Sequence, residues 1–478
     1  MSQASTPGAP AAPDDLTAPA GATDRTPAEA GTPGPLLLLL GFGILWLTFS
    51  CLLALIALIQ IPVPSFLDAC PWLTMGRVHA LAETTFVYGW IGNAGLGLAL
   101  WMFGRLSGEP LRAANWAVVG TLFWNFALAI GVVSIAIGDG TGIPFLQIPG
   151  HVLALMLVSY GAIGVALVLA WTGRRRDRMF ASQWYAAAAV FLFPWIFSIA
   201  QVMLVWSPVH GVVQSIVAGW FAQSLWTLWL APLALAAAYY VTGRMSTRIL
   251  PSYDSALLGF WVLLFVGGLT GGRHLIGGPV PAWIPTLAVV AGFVLLVHYL
   301  VIFLNFRPTI PRGGVPLRFI GLGIIAYMLG GLLDAITGLR GIAETTQYTL
   351  FDQAQMQLGL YAGLTLILFG ALYFALPRIT GTAWASVGLV RGHFVLTLIG
   401  IALLLVCLGG GGLVQGADLN NPALPFREIA EHMRSWLFGA AVGEALLLLG
   451  NLLLLANFFK TVIIGAVAEL RAMEILAS

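Results

Sequence analysis

The feature that most constrains this chain is a succession of apolar stretches, each long enough to cross a bilayer as a helix. About 20 apolar residues at 1.5 Å rise span the hydrocarbon core. Twelve such stretches are read at about 35–61, 79–104, 113–138, 148–172, 181–206, 212–242, 254–271, 283–306, 316–338, 355–377, 392–415 and 432–463. In lipid every backbone amide must find its partner within its own segment, so the stretches are predicted to be helices. The expected fold class is an all-α polytopic membrane protein, one twelve-helix domain over residues 35–478. Only 8% of the 478 residues are charged, against 59% hydrophobic. A soluble domain carries roughly 25% charged residues, so a water-soluble enzyme, a disordered chain and a nucleic-acid binder are excluded. The 57 glycines suit helix backbones that approach closely through small residues.

Residues 1–34 are rich in Ala, Pro, Thr and Gly and hold no apolar run, so a disordered cytoplasmic tail is expected there. The first apolar run lies too far in and is too long for a signal peptide. Arginines concentrate in alternate loops, among them Arg105, Arg112, Arg174, Arg175, Arg176, Arg178, Arg244 and Arg248. By the positive-inside rule the N-terminus faces the cytoplasm, and an even number of spans returns the C-terminus there. Cys51, Cys70 and Cys407 stand far apart with no C-x-x-C, which argues against a thiolate cluster or covalent c-type haem and leaves a single structural bridge open.

Polar groups at membrane depth are costly, so each is a functional candidate. His151, His210, His393 and His432 fall at predicted helix ends and read as interfacial; His298, inside span eight, is the histidine best placed to line a cavity. No two histidines stand four apart and no H-E-x-x-H occurs. Amides cluster at the start of span ten in Gln353-Ala354-Gln355-Met356-Gln357, where Gln355 and Gln357 face different neighbours. Gln223 in span six, Arg273-His274 at the outer end of span seven and Asp334 at the end of span nine complete the set, with helix-packing hydrogen bonds as their alternative role.

The order of these features resembles subunit I of the haem-copper oxidases, above all the cbb-type cytochrome c oxidases and the related nitric oxide reductase large subunit. Pro71-Trp72-Leu73-Thr74-Met75-Gly76-Arg77 is similar to the family's P-W-x-T-x-G-R, and Asn93-Ala94 with Arg105 follows in span two. Phe123-Trp124-Asn125, Tyr239-Tyr240, Gln347-Tyr348-Thr349, and Phe369-Gly370-Ala371-Leu372-Tyr373 with Leu376-Pro377-Arg378 resemble further family motifs in order.

The resemblance implies six histidines, three for a low-spin and a high-spin haem and three for copper. Imidazole is a neutral nitrogen ligand that suits both metals. Carried over by position, the low-spin ligand of span two falls on Ala82 and the span-six copper ligand on Gln223. The span-seven pair falls on Arg273-His274, the span-ten pair on Gln355 and Gln357, and the cross-linked tyrosine on Gly267. Only His274 keeps its register. His79 lies three residues before Ala82, on the same helix face, and is the candidate for a haem held through a shifted register.

Two functions follow. The first is a cofactor-free paralogue, a structural, assembly or regulatory component of a respiratory complex in the bacterial inner membrane, paired with cytochrome c-type or other membrane subunits. Its vacated cavity would be polar, with Arg273 inviting an anion or carboxylate. The alternative is a terminal oxidase or nitric oxide reductase subunit that keeps a b-type haem on rearranged ligands.

Overall fold

Every predicted span is helical in the computed structural model, which describes residues 33–107, 111–173, 179–245, 252–308 and 314–477. The helices long and apolar enough to cross a membrane are α1 (Pro33–Gln60), α2 (Met75–Ser107), α3 (Ala114–Ile137), α4 (Gly150–Thr172), α5 (Ala181–Trp206) and α6 (Val212–Met245). They continue as α7 (Tyr253–Leu275), α8 (Trp283–Phe306), α9 (Val315–Thr337), α10 (Leu350–Thr380), α11 (Val387–Leu419) and α12 (Phe426–Arg471). The tail, but for Pro33 and Gly34, and the arginines at 174–176, 178 and 248 lie outside the described residues.

Local signals set many of the ends. Thr349 caps α10 by accepting from the Phe351 amide, and Ser386 caps α11 by accepting from the Leu389 amide. Gly138 and Gly381 end α3 and α10 at φ +99° and +70°, a left-handed turn that costs glycine little. Several helices begin earlier than expected. α2 starts at Met75 and α11 at Val387, so His79 and His393 lie inside helices and not at their edges.

Three helices form the interior. The apolar windows of α2, α6 and α10 are 94% buried, whereas those of the other nine are 33–50% buried. A helix buried all round must find partners for its polar side chains internally, as the middle of α2 does, although the Thr84, Ser224 and Thr242 hydroxyls have none among the described residues. Asn93 of α2 and Asn125 of α3 exchange amide hydrogen bonds at 3.1 and 3.0 Å, and the Trp46 indole donates to Asn125 Oδ1 at 2.8 Å. The Trp90 indole of α2 donates to Thr365 Oγ1 of α10 at 3.0 Å. Two of the sequence motifs thus meet as one hydrogen-bonded junction.

Each interior helix is interrupted midway by a π segment: Thr85–Gly92 in α2, Trp226–Leu230 in α6 and Leu358–Thr365 in α10. Beyond these segments their later halves, Asn93–Ser107, Ala231–Met245 and Leu366–Thr380, pack on one another on the side where α1 begins. Beside that junction, Tyr88, Trp124, Tyr160, Phe193 and Trp229 form an aromatic cluster, with Phe193 and Trp229 centroids 4.1 Å apart. The earlier halves lead to the opposite side, and there the interior opens. Cys51, Cys70 and Cys407 are free thiols, so no bridge joins them.

Candidate functional site

The sites of interest sit on the turns that lead into the π segments. Ala82 lies three residues before Thr85, Gln223 three before Trp226, and Gln355 and Gln357 just before Leu358. A π turn takes an extra residue into the helix and is common at functional sites. Arg273 and His274 ride on a tightened 3₁₀ segment, Gly267–Leu275, that ends α7. Six positions scattered over nearly 300 residues therefore converge on one side of the bundle.

They do not share one chamber. Gln223, Arg273, His274 and Gln355 line a cavity of about 600 Å³. Ala82 and Gln357 line a second cavity of about 100 Å³. His79, Glu83, Gln353 and Met356 border both, so the two are adjoining arms of one space. As expected from their angular separation, Gln355 and Gln357 face different arms.

The wide arm is braced by a polar network. Arg273 Nη2 and Asp334 Oδ1 form an ion pair at 2.5 Å, with 14% and 20% of the two side chains accessible. Arg273 Nη1 also donates to the Asp334 carbonyl at 3.3 Å and to Thr337 Oγ1 at 3.4 Å. Gln355 Nε2 donates to Asp334 Oδ1 at 2.9 Å, while its Oε1 accepts from Thr337 Oγ1 at 3.1 Å. Gln355 and Arg273 are thus committed to a shared carboxylate. The anion expected at Arg273 meets a guanidinium that Asp334 has already neutralised.

Two more contacts fix the rim. The His274 carbonyl accepts from Gln347 Nε2 at 2.7 Å and from the Tyr348 hydroxyl at 3.0 Å, leaving the imidazole open to the cavity. Trp226 packs on Gly359 of α10 so closely that a Cβ there would overlap the indole. Trp226 forms one wall of the wide arm, Trp229 belongs to the aromatic cluster, and Phe351 packs instead on Gly412 of α11.

The histidines divide differently from the sequence expectation. His298, expected to line a cavity, is fully buried and lines neither arm. Its Nδ1 pairs with the Gly259 carbonyl at 2.7 Å and its Nε2 with the Tyr327 hydroxyl at 3.0 Å. His393, read as interfacial, is also fully buried, with Nδ1 2.8 Å from the Tyr373 hydroxyl and its ring against Phe369. The reason in both cases is a tyrosine on a neighbouring helix, which sequence proximity cannot reveal. His151 and His210 are exposed as expected, and His432, also exposed, pairs with Asp418 at 2.9 Å. His79 and His274 both present accessible rings to the cavity. Among the described residues no three His, Cys, Asp or Glu side chains come together as a metal-binding set.

Sequence reasoning missed two acids. Glu83 stands where the arms meet, accepting from the Phe145 amide at 2.9 Å and from Gln147 Nε2 at 2.7 Å. Glu444 of α12 is 2% exposed and lines the narrow arm, near Cys51 and Tyr361. Each was visible as a lone carboxylate within a helical run, and Ala445 to Leu449 follow Glu444 without another polar residue.

Comparison with known proteins gives a consistent picture. Residues 35–446 match the family described as Cytochrome C and Quinol oxidase polypeptide I. The cbb3-type cytochrome c oxidase subunit CcoN1 of Stutzerimonas stutzeri is 21% identical over 426 residues, covering 85% of this chain and 90% of that protein. The cytochrome c oxidase subunit 1 of Rhodobacter capsulatus is 24% identical over 420 residues, covering 82% and 77%. A heme-copper terminal oxidase solved as a dimer by cryo-EM superposes with a TM-score of 0.73 at 15% identity, covering 90% of this chain and 83% of that one.

Proposed function

The chain belongs to the cytochrome c and quinol oxidase polypeptide I family, and on that premise we propose that it is a cbb-type relative without haem or copper, a non-catalytic structural, assembly or regulatory component of a respiratory membrane complex. One observation carries this reading. Where the resemblance calls for histidines around copper and high-spin haem, Arg273, Asp334, Gln355 and Thr337 form a connected hydrogen-bonded network. The donor set does not fit the metals. An amide is a poor ligand for iron or copper, and a guanidinium stays protonated and repels a cation. Ala82 has no donor atom, and the narrow arm of about 100 Å³ beside it and Gln357 is far smaller than a porphyrin.

The family scaffold supports a place in the bacterial inner membrane beside cytochrome c-type or other redox subunits. The arginine bias supports cytoplasmic termini. A second reading has its own support: His79 and His274 both open onto a cavity of about 600 Å³, so a b-type haem on rearranged ligands is the competing assignment. Purification in mild detergent, with a reduced-minus-oxidised spectrum and iron and copper analysis of the same sample, decides between them. The proposal expects no Soret band and no stoichiometric metal. A b-type spectrum with one iron per chain would overturn it.

A further inference from the structure

We propose that the two-armed cavity binds an organic primary ammonium ion, its charged head held between Glu83 and Glu444 and its apolar body in the wide arm. This rests on the reading that no haem fills the cavity. The argument begins with charge. Glu83, Asp334, Asp352 and Glu444 line the space, against a single guanidinium, Arg273. Arg273 is spent on Asp334. The other three carboxylates have no such partner: Glu83 and Asp352 accept from amide donors, and Glu444 has the Cys51 thiol beside it. Even with His79 and His274 both protonated, the lining would hold more acids than bases.

Charge alone does not make a site, but Glu444 adds a second observation. It is a carboxylate 2% exposed at membrane depth, facing the narrow arm, with no basic residue lining that arm apart from His79. An intramembrane acid is costly unless something pairs with it. A primary ammonium offers three N–H donors on one small head, suited to an arm lined by one carboxylate from α2 and another from α12. Phe86 and Tyr361, stacked with centroids 5.8 Å apart, wall the same arm. Trp226 and Tyr299 line the wide arm. Aromatic faces attract cations and accept apolar bodies. The wide arm, at about 600 Å³, lies within the roughly 300–1,000 Å³ usual for small-molecule sites.

The test uses the full chain in detergent, titrated calorimetrically with 2-phenylethylammonium and, separately, with 3-phenylpropionate, its anionic counterpart. The ammonium ion is expected to bind and the anion not. Loss of one charge-assisted contact is expected to weaken binding about tenfold to a hundredfold in Glu444→Gln and in Glu83→Gln. Glu431→Gln, on the exposed start of α12, is expected to change nothing. If one cavity variant fails to fold, the other decides. Absence of ammonium binding, equal binding of the anion, or affinity indifferent to both cavity variants would overturn the proposal. A Soret band in the same sample sinks the cofactor-free reading instead; a Soret-free sample that binds no amine sinks only the ammonium proposal.

Discussion

The two arms of the cavity differ sixfold in volume, about 600 Å³ against about 100 Å³, although both lie at positions where the family resemblance places metal centres. The difference follows from what lines them. The narrow arm's lining includes aliphatic side chains of α1 and α11, such as Leu58, Leu404 and Leu408, which are free to settle into a void. Interiors pack to crystal-like density wherever the lining can move. The wide arm alone is walled by Arg273, committed to Asp334, and by Gln355, committed to Asp334 and Thr337. Such groups cannot move in to fill space without breaking bonds that burial makes costly to lose. Apolar lining closes a space; polar bracing keeps it open.

The strongest way to break this comparison is to cut the brace. Asp334→Ala leaves the Arg273 guanidinium unpaired, and a loss of about 3–5 kcal/mol in unfolding free energy is expected. The paired change Arg273→Gln with Asp334→Asn removes both charges and is expected to recover most of that loss. An unfolding titration in mixed micelles measures both, and a single variant as stable as the parent would mean that the ion pair does not brace the wall. A smaller effect comes from filling the closed arm. Ala82→His together with Gln357→His forces two imidazoles into about 100 Å³. That overpacking is expected to cost about 1–3 kcal/mol. The same purified variant is expected to show no Soret band, and a haem spectrum from it would show that the narrow arm opens. The smallest effect is expected from Gln223→His, whose side chain faces the wide arm. Here stability is expected to stay within about 0.5 kcal/mol of the parent. A large loss in this last variant would contradict the openness of the wide arm.

Much of this was legible in the chain, for definite reasons. Spans are written in consecutive residues, so twelve apolar runs gave twelve helices, off mainly at the ends where caps such as Thr349 and Ser386 extend the pattern. The separation of Gln355 from Gln357 followed from helical periodicity alone. Arg273 and Asp334 were each visible as intramembrane charges, but 61 residues part them and nothing local pairs them. The same holds for His298 with Tyr327 and His393 with Tyr373, whose partners lie 29 and 20 residues away on other helices. Glu83 and Glu444 were legible as lone acids and were overlooked because neither falls on a family ligand position. The sizes of the two arms could not be read at all, since they depend on how side chains from five or more helices settle together.

The π segments carry one further consequence. An α-helix advances about 100° per residue, so one residue inserted into an unbroken helix would turn everything before it by that angle about the axis. Thr85–Gly92 takes up such an extra residue as a π turn, and His79, Ala82 and Glu83 keep facing the arms while the Asn93–Asn125 junction stays in place. Loss of a single codon within these three segments is therefore expected to be absorbed by the π turn tightening to α, whereas the same loss elsewhere in α2, α6 or α10 has no such slack and rotates the cavity wall. In a lineage of such chains, the π segments are where single-residue length changes would be tolerated.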